Sequence, residues 1–402
     1  KKVADHHGLV CLLHEKPFAG FNGSGKHNNW ALCTDTGLNL LNPGKDPIHN
    51  DIFLVFLSAV IKAVDEYGDM LRLSCATAAN DYRLGGHEAP PSIISMFLGE
   101  EITAVLTDYA QGAQGCEHCA GSLQTGVHSL AVLSKDGADR NRTSPFAFTG
   151  NKFEFRMVGA NQSISGINIT INTMVADALC TFADRLDAAQ DPKEEIKQII
   201  TESVTKHGRI IFNGNNYSQE WVQEAQRRGL PHFKNAVEAL VHFRDKKNID
   251  QMVRMGIFTE TEVLSRCDIM LDDYANTINI EARTMVDMAQ KQIFPAVMQY
   301  AGTLCQVINQ KAKAGISALK KEKEYVETIN RLTEELLFAT ESLQAAIPGN
   351  KNFASCEEKA RYFAESVKPK MEALRTVVDR LEVQTAKKDW PMPTYADLMF
   401  MV

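Results

Sequence analysis

From about Asp191 to the end of the chain, apolar residues recur every three or four positions inside long charged stretches, and this pattern limits the fold more than any other. Leu319 to Ile347 carries Ile329, Leu332, Leu336, Leu343 and Ile347 at helical spacing, and Pro348-Gly349 ends the run. Lys359 to Val383 repeats the device through Met371, Leu374, Val378 and Leu381. Thr259 to Lys313 reads as one very long helix, kinked or broken at Pro295, where the ring removes an N–H and crowds the preceding turn. Helices with one apolar stripe bury it most simply against one another, so residues 189–402 are expected to form an all-α antiparallel helical bundle. Charged faces on such helices are usually solvated, and we assign them no chemistry.

Residues 1–188 have a different texture, with short β-type runs, helices and many glycines and prolines between them. Leu9 to His14 and Trp30 to Thr34 are expected as strands on either side of a Gly-rich turn, the first reached by Gly8. Asp51 to about Ala79 has helical periodicity. Within it Ile52 to Val64 is the most apolar run, but it is too short for a membrane span and contains Lys62, so a buried helix is expected. Asn151 to Val158 alternates, with Phe153 and Phe155 on one face and Lys152, Glu154 and Arg156 on the other. The fold class is therefore α+β followed by all-α.

At 402 residues and 44% hydrophobic content the chain has room for two domains. A net charge of −7 with no basic stripe argues against nucleic acid as a partner, and no membrane partner is expected. Nine scattered cysteines suit reduced thiols in the cytoplasm better than a disulfide framework. The chain opens at Lys1-Lys2-Val3 without an initiating methionine or signal pattern, and we expect it to be N-terminally truncated.

The polar residues of the first half form a constellation. Phe21-Asn22-Gly23-Ser24-Gly25-Lys26-His27-Asn28-Asn29-Trp30 combines two glycines, which permit close approach of a ligand, with a histidine and an amide two residues apart. Arg83 and Glu88 lie in Tyr82-Arg83-Leu84-Gly85-Gly86-His87-Glu88-Ala89-Pro90, Arg140 and Arg142 in a later loop, and Lys152, Glu154 and Arg156 along one strand face. Arginine forks suit carboxylate and phosphate, while an imidazole and a carboxylate suit a divalent cation bridging phosphates. Read singly, His27 is an ordinary turn histidine, Lys152 to Arg156 the solvated face of an edge strand, Arg140 and Arg142 loop residues paired with acids, and Glu88 a loop-bracing carboxylate. Together and in this order they point to a site for a carboxylate substrate and a nucleotide.

That order resembles the glutamine synthetase family, its C-terminal catalytic part in particular. Asn22-Gly23-Ser24-Gly25-Lys26-His27 matches a family signature, with Lys16-Pro17 upstream. Arg83 with Gly86-His87-Glu88-Ala89-Pro90 is similar to its mobile flap, Asn141-Arg142 to its phosphate-binding arginine, and Glu154-Phe155-Arg156 to its Glu-x-Arg strand. His14 to Phe18 and Thr143 to Phe148 look most like the long, type III branch, whose helical extension would account for residues 189–402. The resemblance implies a glutamine synthetase-type catalytic domain, an antiparallel sheet with helices, truncated at its N-terminus.

It also implies ATP-dependent ligation of ammonia to L-glutamate through γ-glutamyl phosphate, with Mg2+ or Mn2+ and with ring-forming self-association. On this reading His27 and Glu154 ligate metal, and Asn22, Gly23, Arg83 and Arg156 bind glutamate. Ser24, Asn29, Arg142 and Lys152 bind nucleotide, Arg142 steadies the transferring phosphoryl group, and Glu88 closes the site and helps bind or deprotonate ammonium. The chain departs from the family where Asn29 replaces a second histidine, Ala147 and Lys152 replace arginines, and Met157-Val158-Gly159-Ala160 replaces Phe-Pro-Asp-Pro. The family's other metal carboxylates would precede Lys1, so this chain alone is expected to be inactive. Alternatives are a γ-glutamyl ligase for another amine, a guanidino kinase, or a non-catalytic assembly piece. Cys116-Glu117-His118-Cys119 supplies only half a structural zinc site and is expected to be an ordinary loop.

Overall fold

The computed structural model describes residues 1–9, 11–18, 20–86, 89–112, 122–123, 133–134, 142–349 and 352–399. Among these, the short helix α1 (Lys2–His6) is followed by strand β1 (Gly25–Trp30), helices α2 (Asp51–Glu66) and α3 (Gly68–Ser74), β2 (Met96–Phe97) and α4 (Glu100–Ala110). Next come β3 (Ser122–Leu123), β4 (Leu133–Ser134), β5 (Phe146–Phe148), β6 (Phe153–Gly159), α5 (Ser165–Ala188) and α6 (Pro192–His207). Helices α7 (Gln219–Arg227), α8 (Ala236–Leu240), α9 (Lys246–Arg254), α10 (Glu260–Met288), α11 (Phe294–Lys313), α12 (Lys320–Ala346), α13 (Cys356–Tyr362), α14 (Lys368–Gln384) and α15 (Tyr395–Met399) complete the order. The chain divides into two compact units, Leu13–Cys267 and Lys1–Leu12 with Asp268–Val402.

In the first unit the main sheet runs β1-β6-β5-β2. β6 pairs antiparallel with both β1 and β5, whereas β2 runs parallel to β5. The sheet is thus mixed rather than wholly antiparallel. Long connections allow this, because the chain between Phe97 and Phe146 can return β5 in the direction of β2.

Phe153 and Phe155 stand opposite Phe148 and Phe146 across the β5–β6 pair, so all four rings share one face. They pack closely, with Phe146 and Phe153 stacked at 4.7 Å and Phe148 6.0 Å from Phe53 of α2. Helices α5 and α6 pack against α2, adding Ile171, Met174, Ile199 and Ile200 to this core. Asn28 and Trp30 of β1 also turn inward, donating to Asn168 and Asn172 of α5 at 2.8 Å each. The apolar run expected as a buried helix is α2, with Phe53, Leu54, Leu57, Val60, Ile61 and Val64 all buried.

Two strand expectations do not hold. The strand of the Gly-rich segment is Gly25–Trp30 itself, which takes in only the first residue of the expected Trp30 to Thr34 strand; residues 31–34 and the described residues of Leu9 to His14 lie outside any named strand. Gly8, Leu9, Leu12 and Leu13 are exposed rather than forming a buried strand. The second edge of β6 decides the matter, since it offers its backbone to residues 25–30, and pairing outweighs local β preference. β6 is consequently an inner strand, and the solvated-edge reading of Lys152 to Arg156 falls with it.

The second unit contains α11, α12 and α14, with α12 packed on both others. Ile329, Leu332, Leu336 and Leu343 of α12 and Met371, Leu374 and Leu381 of α14 are buried at the expected spacing. The expected long run is helical from Glu260 to Lys313, interrupted by a π turn at Ala289–Ile293, just before Pro295. Phe363–Val367 forms a second π turn two residues before Pro369. A proline cannot donate to the carbonyl four residues back and its ring clashes there, so local widening of the helix absorbs it. The helices α6 to α9 (residues 192–254) belong to the unit that holds the sheet, so the compact units part at 267/268 rather than at the expected 188/189.

Candidate functional site

The face of β6 opposite the phenylalanines carries Glu154 and Arg156. Ala147 of β5 and Asn29 of β1 stand directly across from Glu154, so the strand positions set a small side chain and an amide beside the carboxylate. Between Lys26 and Asn28 the pairing register shifts, leaving two residues of β6 opposite His27. Such a bulge re-aims a side chain. Here it brings His27 Nδ1 within 2.7 Å of Glu154 Oε1. The other carboxylate oxygen accepts from Arg156 Nε at 2.8 Å and Nη2 at 2.6 Å.

Burial pushes the Glu154 carboxyl up, but the hydrogen bonds and charge of Arg156, with His27, outweigh it and hold the group below the usual carboxylate range. An imidazole nitrogen and a carboxylate oxygen this close can share either a proton or a cation. Among the described residues no group of three or more His, Cys, Asp or Glu side chains is placed to hold a metal. His27 and Glu154 are a two-donor set.

Arg83 is buried against the same strand. Its Nη2 donates to the Arg156 carbonyl at 2.8 Å, and Nη1 lies 3.4 Å from Asn80 Oδ1. Burial lowers the pKa of this guanidinium, partly offset by the charge of Glu15. The glycines of the loop make room for it. A Cβ on Gly25 would sit 2.4 Å from Arg83 Cζ, and one on Gly23 would sit 2.8 Å from the Glu15 carbonyl and 3.2 Å from Arg83 Cγ. Neither glycine has a positive φ. Their small size is used for close approach of a protein arginine, whereas the sequence suggested approach by a ligand.

The remaining expected residues are distributed as follows. Asn22, Ser24, His27 and Asn29 are exposed and Gly23 is half-buried, and the Ser24 N–H donates to the Glu15 carbonyl at 2.7 Å. Arg142 is exposed, and its carbonyl accepts from Tyr217 at 3.2 Å while its side chain has no partner among the described residues. Arg156 Nη1 lies 3.4 Å from the carbonyl of Ser144, two residues beyond Arg142. Lys152 is exposed at the turn before β6. Glu88, His87, Arg140 and the Cys116 to Cys119 motif lie outside the described residues.

Two residues escaped the sequence reading. Asn80, fully buried, donates from Nδ2 to the carbonyls of Cys75 and Met157 at 2.8 Å each, fastening the Arg83 segment to β6. Glu15 is 1% exposed and lies against Gly159. A lone Asn after a helix gives no signal of such a role. A Glu beside His14 and Lys16 reads as surface.

Residues 195–312 match the family model described as the glutamine synthetase C-terminal domain. The whole chain is similar to a glutamine synthetase of Butyrivibrio fibrisolvens, 40% identical over 404 residues, covering 100% of this chain and 57% of that protein. A type-3 glutamine synthetase of Dictyostelium discoideum is 38% identical over 413 residues, covering 100% of this chain and 56% of its own. A glutamine synthetase of Bacteroides fragilis is 37% identical over 416 residues, again with 100% and 56% covered. The chain spans a little over half the length of these curated relatives. Among the described residues no helix is long and apolar enough to cross a membrane.

Proposed function

We propose that this chain, which belongs to the glutamine synthetase family, forms part of an ATP-dependent ligase joining ammonia to L-glutamate. The observation that carries the reading is the Glu154 carboxylate held between His27 and Arg156 on the polar face of the sheet. In this reading an oxygen of the glutamate γ-carboxylate attacks the γ-phosphorus of ATP, and the bond to ADP breaks. The ammonia lone pair then attacks the carbonyl carbon of γ-glutamyl phosphate. Phosphate leaves with the bonding pair, and the nitrogen gives up its extra proton, with Glu88 as the assigned acceptor.

His27 and Glu154 fit a divalent cation, Mg2+ or Mn2+, because one offers an imidazole nitrogen and the other a carboxylate whose pKa Arg156 holds down. Bound there, the cation would neutralise phosphate charge; its other positions fall to substrate, water or further carboxylates. Arg156 orients Glu154 through two hydrogen bonds. Arg142, exposed and with no side-chain partner among the described residues, can meet the transferring phosphoryl group, and Lys152 adds charge without a fork. Ser24 and Asn29 are assigned to the nucleotide, and Asn22, Gly23, Arg83 and Arg156 to glutamate. Glu88 would shut water out of the acyl phosphate. Ring-forming self-association and a cytoplasmic location complete the reading. The described cysteines, none of them in a disulfide among the described residues, suit a reducing compartment.

The test is ATP- and glutamate-dependent glutamine formation by the intact protein, with ammonia compared against bulkier amines. We expect ammonia to be preferred and Arg142→Ala to slow turnover by about 100-fold to 1,000-fold, as for loss of one donor to developing charge. Preference for a bulky amine would replace this reading with another γ-glutamyl ligase. No turnover under any condition would leave an assembly role.

A further inference from the structure

The Glu15 carboxyl is buried to 1% exposure, and its Oε2 has no close hydrogen-bond partner among the described residues. Oε1 accepts from the Asn161 N–H at 3.2 Å, and the Ala160 backbone also acts on the carboxyl. A carboxyl so placed is costly, and an apolar or amide side chain of similar volume would be more stable. Two glycines make its position possible. A Cβ on Gly159 would lie 2.4 Å from Glu15 Oε1, and one on Gly23 would lie 2.8 Å from its carbonyl oxygen. That carbonyl closes the Gly-rich loop by accepting from Ser24. The segment around it is further pinned where Asn161 Nδ2 donates to the Leu13 carbonyl at 2.9 Å.

The charge has an evident counterpart. Arg83 is buried and has no ion-pair partner among the described residues, and the strongest charge acting on it is Glu15. Arg83 is likewise the strongest charge acting on Glu15, followed by Lys26 of β1. His14 and Lys16 flank it on its own segment. We infer that Glu15 is a positioning residue for the proposed site: its main chain and carboxyl tie the Asn22–Gly25 loop to the end of β6, and its charge keeps the Arg83 guanidinium seated beside that loop. The kinetic part of this inference rests on the proposed function. The stability and exchange parts do not.

Burial raises the Glu15 pKa, only partly countered by the Asn161 N–H and Arg83. A carboxyl raised on folding stabilises most below the ordinary carboxylate range, and that contribution is lost as pH rises through the raised folded value. Thermal unfolding of Glu15→Gln and wild type between pH 4 and 8 should therefore show the variant melting higher at neutral pH, with the gap closing towards pH 4. Hydrogen exchange should rise at the Ser24 and Asn161 amides in Glu15→Ala and stay near wild type in Glu15→Gln. In the intact enzyme Glu15→Gln should raise KM for glutamate about tenfold, the effect of losing roughly 1.4 kcal/mol, with less change in kcat.

Unchanged exchange in Glu15→Ala, or a wild-type KM in Glu15→Gln, would overturn the positioning role. If the wild type makes no glutamine, the proposed function fails while the exchange and unfolding results still decide the role of Glu15.

Discussion

At the scale of single residues, the loop glycines carry a sharper meaning than their sequence alone conveys. The side chain of Arg83 fills the space that Gly23 and Gly25 leave, and it is fastened to the Arg156 carbonyl at 2.8 Å. Gly25→Ala would place a Cβ inside the guanidinium and force it off that acceptor. We expect a loss of about 1 to 3 kcal/mol from the unpaired buried donors, read as a lower denaturant midpoint with an unchanged m-value. Glu154 gives a prediction of opposite pH character to Glu15. Its carboxyl is depressed on folding by Arg156 and His27, so the stability it contributes is present above the ordinary carboxylate range and lost as pH falls through the depressed value. Arg156→Ala should flatten that acid limb, and melting curves of the two proteins between pH 6 and about pH 3 would converge if the argument holds. His27, Glu154 and Arg156 were legible because a two-residue alternation puts Glu154 and Arg156 on one face. Their contact with His27 was not, because it depends on a bulge in a strand pair separated by more than a hundred residues.

At the scale of elements, alternation and helical spacing carried most of the signal, and pairing carried the rest. Residues 151–158 announce a strand, but nothing local says that β6 is flanked on both sides or that β1 begins at Gly25. Helix α12 was readable to its end, since its buried stripe and the Pro348-Gly349 stop agree. Pro295 announced a kink and the structure answers with a π turn at Ala289–Ile293, a form that sequence period alone does not distinguish from a break. The same spacing recurs at Phe363–Val367 and Pro369, so the two turns share a cause. Pro295→Ala should allow an ordinary helical hydrogen bond and stabilise this helix by less than the roughly 3 kcal/mol a proline costs in a regular helix interior. Thermal unfolding gives the sign. A lower melting temperature would mean that packing of the buried Ala289 and Ile293 holds the π turn without help from the proline.

At the scale of the whole molecule, an amphipathic stripe tells that a helix is buried but not against what. Helix α6 carries a stripe like those of the later helices, yet Ile199 and Ile200 join the core built on α2 and the phenylalanine face of the sheet. The change of texture near residue 190 therefore marks where strands stop, while the compact units part at 267/268. Each unit has buried side chains of its own: Phe155 lies among the sheet and helix residues of one, and Leu336 on the α12 stripe of the other. Units with separate cores unfold as separate cooperative steps unless something couples them. Calorimetry of the chain should resolve two transitions. Leu336→Ala should lower one by about 2 to 5 kcal/mol, and Phe155→Ala should lower the other by about 3 to 5 kcal/mol, the usual cost of truncating such buried side chains. If either substitution moves both transitions equally, the two units fold as one, and the boundary seen in the backbone is geometric without being thermodynamic.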